Sequence, residues 1–167
     1  MDQILDRFCR ANWRNAHALA GESEMLELVP FGGGDAPRAV AAHFNAYCWV
    51  KDQDGVHRQL GFTIGFRFPE HYLTPLVQAS EVIHFVGPNQ VFHPNIRPGA
   101  CCLGNGFQPG LELRDLLFRT YSLVTGQQRS QPADPLNPAA AAYYRRHWPM
   151  EPADNRPLKW RSNGEKV

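Results

Sequence analysis

The stretch His93-Pro94-Asn95-Ile96-Arg97-Pro98-Gly99-Ala100-Cys101-Cys102-Leu103 divides the chain into two unlike parts. Residues 93 to 110 contain three prolines, four glycines and two adjacent cysteines, which predicts irregular structure rather than a continuing strand. Upstream, the chain reads as strands. Leu60 to Phe68 sets Phe62, Ile64, Phe66 and Phe68 against Thr63, Gly65 and Arg67, the period-two pattern of a strand with one buried face. Val40 to Val50 is rich in aromatic and β-forming residues, and Asp52-Gln53-Asp54-Gly55 supplies the backbone freedom of a hairpin turn between the two. Met25 to Pro30 and Glu81 to Val86 read as two further strands, the second after a loop containing Pro69 and Pro75. Short connections between successive strands predict an antiparallel meander.

Helices bracket this sheet. From Asp2 to about Ala18, Ile4, Leu5, Phe8, Cys9, Trp13 and Ala16 recur at three- and four-residue steps, an amphipathic helix that Gly21 stops. Downstream, Leu113, Leu116, Leu117, Tyr121 and Val124 form a second helical stripe ending near Gly126. Residues 127 to 138 read as a proline-rich loop, and Ala139 to His147 as a short alanine-rich helix. From Pro149 onward the prolines and polar residues predict an extended tail. The expected fold is α+β, with an N-terminal helix, a four-stranded antiparallel meander, the loop, and then helices. It occupies one domain, residues 1–148, with residues 149–167 as a tail.

Composition narrows the function. The 167 residues are long enough to bury a core, and a net charge of +1 argues against a dedicated nucleic-acid binder. No apolar run is long enough to span a bilayer, and the first seven residues lack the apolar centre of a signal peptide, so the expected location is the cytoplasm. Cys9, Cys48, Cys101 and Cys102 form neither a Cys-x-x-Cys pair nor a metal-ligand spacing with the histidines, so neither a disulfide framework nor a metal is expected. Gly32 to Gly34 lacks the lysine and following helix of a phosphate-binding loop, and no cofactor is expected. The only lysines are Lys51, Lys159 and Lys166, which limits self-modification if the chemistry attacks lysine.

Four stretches carry chemistry in a fixed order. His93-Pro94-Asn95, a turn with Gly99, then Cys102-Leu103 resembles the active-site signature of ubiquitin-conjugating enzymes. Phe68-Pro69-Glu70-His71-Tyr72 resembles that family's Phe-Pro-x-x-Tyr-Pro, with Leu73 in place of the last proline. Phe107-Gln108-Pro109-Gly110-Leu111 resembles its Trp-Ser-Pro-Ala-Leu, and Asp134-Pro135-Leu136-Asn137-Pro138 its Asp-Pro-Leu-x-Pro. The family usually places cysteine eight positions after the asparagine; Asn95 to Cys102 is seven, a one-residue deletion in the turn. Aligning Gly99 with the turn glycine selects Cys102 over Cys101.

The resemblance implies a reaction. Cys102 takes the carboxy terminus of a ubiquitin-like protein from an activating enzyme as a thioester and passes it to a lysine amine on a target. Asn95 stabilises the oxyanion formed by amine attack, or orders the loop that does so. Asp134 orients the lysine and helps deprotonate it, because a free lysine is protonated at neutral pH. Its plainer reading is a turn residue before proline. His93 and Pro94 structure the loop. The first helix, with Arg7, Arg10 and Arg14, matches the face that meets the activating enzyme, and the loops at Phe68-Pro69 and Gln108-Pro109 match the surface where ligases dock. The shortened turn, the displaced proline, the lack of a final helix and the arginine bias resemble the bacterial branch, often encoded in antiphage operons. Two alternatives stay open: a non-catalytic binding module with this fold, and a cysteine hydrolase using Cys102 and His93.

Overall fold

The computed structural model describes residues 3–32, 34–129, 132–148, 150–159 and 161. Asp2 at the start of the expected helix, Gly33 of the glycine run, residues 130–131 of the expected proline-rich loop, and Pro149, Trp160 and residues 162–167 of the expected tail lie outside them. Helix α1 (Gln3–Gly21) leads into strands β1 (Leu26–Phe31), β2 (Ala39–Asp52) and β3 (Gly55–Arg67), the short helix α2 (Ala79–Val82) and β4 (Ile83–Gly87). Two-residue strands β5 (Ile96–Arg97) and β6 (Ala100–Cys101), a 3-10 turn (Gly104–Gly106), and helices α3 (Leu113–Val124) and α4 (Pro138–Arg146) follow. The large sheet runs β1-β2-β3-β4, every pair antiparallel, which is the expected α+β meander.

Alternation builds the core. Val40, Ala42, Phe44, Ala46, Cys48 and Val50 of β2, with Phe62, Ile64 and Phe66 of β3, are all buried. Phe44 stacks on Phe62 at 4.8 Å between centroids, and Tyr121 of α3 lies 5.7 Å from Phe44. β3 begins five residues before the expected Leu60, because Gly55 to Gln59 bury neither face and are held by the β2 ladder alone, from Asp52↔Gly55 onward. The expected strand from Glu81 opens instead with the helical turn α2. There the Glu81 carboxylate accepts the Gln78 backbone N–H at 2.9 Å. On α1 the buried residues are Leu5, Cys9, Asn12, Ala16 and Leu19, whereas Ile4 faces solvent.

Buried Asn12 joins the two long helices. Its Nδ2 donates to the Phe8 carbonyl at 2.9 Å, and its Oδ1 accepts the N–H of Leu113, the first residue of α3, at 2.6 Å. Glu112, in the N-cap position, makes no capping bond with its own side chain, so α1 supplies the cap for α3.

Residues 150–159 contain no helix or strand, yet they are bound along their length. The β2–β3 register slips between Phe44 and Tyr47, passing over Asn45 and Ala46. Asp154 Oδ2 accepts the Tyr47 N–H at 3.0 Å, and Arg156 Nη2 donates to the Asn45 carbonyl at 3.3 Å. The Ala153 N–H bonds Thr125 O at 2.7 Å, Tyr121 Oη donates to Arg156 O at 2.7 Å, and Ser23 Oγ donates to Leu158 O. Ala153, Asp154 and Leu158 are buried.

Candidate active site

The segment after β4 is anchored before it turns. Lys51 N–H bonds Gln90 O at 2.9 Å and Phe92 N–H bonds Trp49 O at 2.8 Å, fixing residues 90–92 to the end of β2. The segment expected to be irregular then folds into a small hairpin, Ile96↔Cys101 and Arg97↔Ala100, around Pro98-Gly99. Pro98 suits the second position of a type II turn, and Gly99, at φ 81°, takes the left-handed third position that favours glycine. Strands this short carry no readable period. The Gly99 N–H docks the turn on β4 through Phe85 O at 2.8 Å.

His93 braces the loop from beneath. It is buried, edge-on to Tyr144 at 5.5 Å, and its Nδ1 accepts the Asn95 backbone N–H at 3.1 Å. Burial pushes its pKa down to about 3, so the ring is neutral and its Nδ1 lone pair is already engaged. Pro94 is buried and its carbonyl accepts the Asn137 N–H at 3.1 Å. Asn95 grips the cysteine backbone twice: its carbonyl accepts Cys102 N–H at 2.9 Å, and its Nδ2 donates to Cys102 O at 3.1 Å.

Neighbouring side chains in an extended segment point to opposite sides, and the two cysteines separate accordingly. Cys101 is buried and its thiol is pushed up to about 12 by desolvation. Burial likewise pushes Cys9 to about 11 and Cys48 to about 12. Cys102 alone of the four cysteines is not buried, and its Sγ accepts the Gly104 N–H at 3.4 Å. Such a thiol is the one a reagent reaches.

Asp134 is exposed and makes no hydrogen bond or ion pair with any described residue. Its segment is joined to the loop through Asn137, which bonds Pro94 and caps α4, its Oδ1 accepting Ala140 N–H at 3.0 Å. Three residues span at most about 10 Å, so Asp134 stays within that reach of Asn137. Sequence reading missed the cap, although asparagine before a proline at the first helical position signals it. It also missed the Gly104 amide, for which no side-chain signal exists.

Arg7, Arg10 and Arg14 are exposed on α1; Arg10 pairs with Asp35 at 2.9 Å. Tyr72 Oη donates to Leu111 O at 2.6 Å, joining the Phe68–Tyr72 loop to the Phe107–Leu111 loop. Among the described residues no cluster of three or more histidine, cysteine or acidic side chains is placed to hold a metal, and no helix is long and apolar enough to cross a membrane.

No family model matches the chain, and no curated protein matches it. Among solved structures it is similar to the crystal structure of the ubiquitin conjugating enzyme E2 UbcA1 from Agrocybe aegerita. The identity is 19% and the TM-score 0.49, over 88% of this chain and 96% of that one.

Proposed function

We propose that the chain is a conjugating enzyme that receives a ubiquitin-like protein as a Cys102 thioester and transfers it to a lysine on a target protein. One observation carries this reading: a single accessible thiol stands at the end of a braced loop, its backbone bonded twice to Asn95, while the other three cysteines are buried. The Cys102 thiolate attacks the thioester on the activating enzyme, and that enzyme's thiol leaves. A lysine amine then attacks the new thioester, the Cys102 thiolate leaves, and the amine gives up its proton. Thioester exchange is nearly balanced, so the first step needs no general base beside the sulfur. The bond from Asn95 to Cys102 O supports the loop-ordering role of this amide; contacting the oxyanion directly requires the amide to turn. Asp134, exposed and without a bond to any described residue, receives the lysine ammonium and takes its proton during attack.

Arg7 and Arg14, exposed on α1, form part of the surface offered to the activating enzyme. By the same resemblance the setting is cytoplasmic, in a bacterial antiphage operon, and the flanking genes test that assignment. A hydrolase would need a base, and neutral, buried His93 disfavours that role.

The test is incubation with the activating enzyme, ATP and the ubiquitin-like protein, followed by gels with and without reductant. A reductant-sensitive adduct that is lost in Cys102→Ala and kept in Cys101→Ala supports the proposal. Loss only in Cys101→Ala overturns the assignment of the thiol. A wild-type protein that binds the ubiquitin-like partner without forming any adduct is a binding module.

A further inference from the structure

Cys102 accepts a hydrogen bond from a backbone amide whose direction is set entirely by the turn that follows it. The Gly104 N–H lies 3.4 Å from Cys102 Sγ. Gly104 has φ 56°, in the region that favours glycine, and a Cβ there would meet no heavy atom within 4 Å. The turn closes on itself through Gly106 N–H to Leu103 O at 3.0 Å and Phe107 N–H to Gly104 O at 3.4 Å. Two short-range closures and two exposed residues leave it little internal rigidity. Among the described residues the turn receives one side-chain hydrogen bond, from Arg119 Nη1 to Gly106 O at 3.0 Å. Arg119 stands on α3, where Leu116, Leu117, Thr120 and Tyr121 are all buried, so its Cα belongs to the most firmly packed helix.

The geometry points to Arg119 as a positioning residue for the thiol: it ties the turn to α3 so that the Gly104 N–H stays aimed at Cys102 Sγ. An N–H donor to sulfur selects one side-chain rotamer and holds the sulfur in one direction. The chain thereby fixes the aim of its nucleophile without a histidine beside it. This deepens the thioester reading and rests on it for its biological meaning, but its chemistry is measurable on the isolated protein.

The test uses iodoacetamide on the full chain. The Cys102 thiolate forms an S–C bond and expels iodide, its proton having gone to solvent, and mass spectrometry counts the additions. The other cysteines are buried, so the early phase reports Cys102. Rates are measured across pH 5.5 to 9.5 for the wild type, Arg119→Ala, Arg119→Lys and Arg114→Ala, at low salt and in 1 M KCl. Arg114 is a control from the same helix, stacked over Phe118 instead of bonded to the turn.

In Arg119→Ala alkylation at pH 7 slows about threefold, because the sulfur is no longer held in one direction. The slowing persists in 1 M KCl, where through-space charge effects are screened within about 3 Å. Arg119→Lys recovers part of the rate, and Arg114→Ala leaves it unchanged. A wild-type rate in Arg119→Ala overturns the inference. A slowing that vanishes in 1 M KCl, or that Arg114→Ala reproduces, also overturns it, because either assigns the effect to charge alone. A protein that shows the slowing but never charges with a ubiquitin-like protein refutes the proposed function and leaves this inference standing.

Discussion

Removing the Asp154 carboxylate tests whether the tail belongs to the fold. Its side chain is 3% exposed and takes four hydrogen bonds: Tyr47 N–H at 3.0 Å, and from Arg156 the backbone N–H at 2.9 Å, Nε at 3.1 Å and Nη2 at 2.7 Å. Asp154→Ala strands the Tyr47 amide at the β2 register shift and removes the buried carboxylate that the Arg156 Nε and Nη2 bond. Breaking a fully buried pair in this way costs about 3–5 kcal/mol. The Arg156 side chain is 31% exposed, and water takes over part of its solvation, which lowers the expected loss to about 2–4 kcal/mol. For a domain of this size that is a fall in Tm of about 5–12 °C. Urea unfolding at pH 7 reads the free energy, and hydrogen exchange at Tyr47 reads the local opening. The pH dependence carries a sign. Burial alone would raise the Asp154 carboxyl, but the hydrogen bonds from Arg156 and the Tyr47 amide outweigh it and hold it below the ordinary 3.8. Its contribution is therefore complete above the unfolded value and is lost as pH falls through the folded one. The gap between wild type and Asp154→Ala should narrow as pH falls from 5 to 3. A loss below about 1 kcal/mol at pH 7, with unaltered exchange at Tyr47, would refute the reading that the tail belongs to the fold.

His93 stays neutral in the fold down to about 3, while the unfolded chain takes up its proton near 6.5. Stability should therefore drop by about 2 kcal/mol between pH 7.5 and 5, and urea midpoints at the two values should show this component missing in His93→Asn. Asn12→Ala removes the cap of α3 and should cost about 1–2 kcal/mol in urea unfolding; an unchanged midpoint would mean that another group caps Leu113. Asn95→Ala should still accept the ubiquitin-like protein but pass it to free lysine about a hundredfold more slowly in single-turnover discharge, and wild-type discharge would make this amide dispensable. Phe44→Ala opens the stack on Phe62 and should cost about 3–5 kcal/mol by calorimetry, with a much smaller loss showing that the core closes over the gap.

What the sequence made legible follows from range. The alternation of Phe62, Ile64 and Phe66 is written into β3 itself, because one face is buried and the other is not. The meander follows from short connections, and the loop at His93 from its prolines and glycines. The bonds that lock the molecule were not legible. Asn12 finds its partner 101 residues away and Asp154 binds Tyr47 across 107, so no local pattern announces either. The choice of Cys102 over Cys101 rests on the resemblance at Leu103, and no periodicity in so short a segment makes it. The Gly104 amide and the Arg119 tie depend on backbone direction, which a glycine in a sequence leaves open.

The hairpin that carries the two thiols has a consequence for how its length can vary. Sidedness along a ladder is a matter of odd and even: one residue gained or lost among the paired positions would bring Cys101 out to solvent and turn Cys102 inward. Pro98 and Gly99 stand outside the pairing of Ile96 with Cys101 and Arg97 with Ala100. A residue dropped there shortens the bend without changing parity. The seven-residue step from Asn95 to Cys102 is therefore compatible with an outward sulfur, and the bend is where evolution can trim this loop without exchanging one thiol for the other.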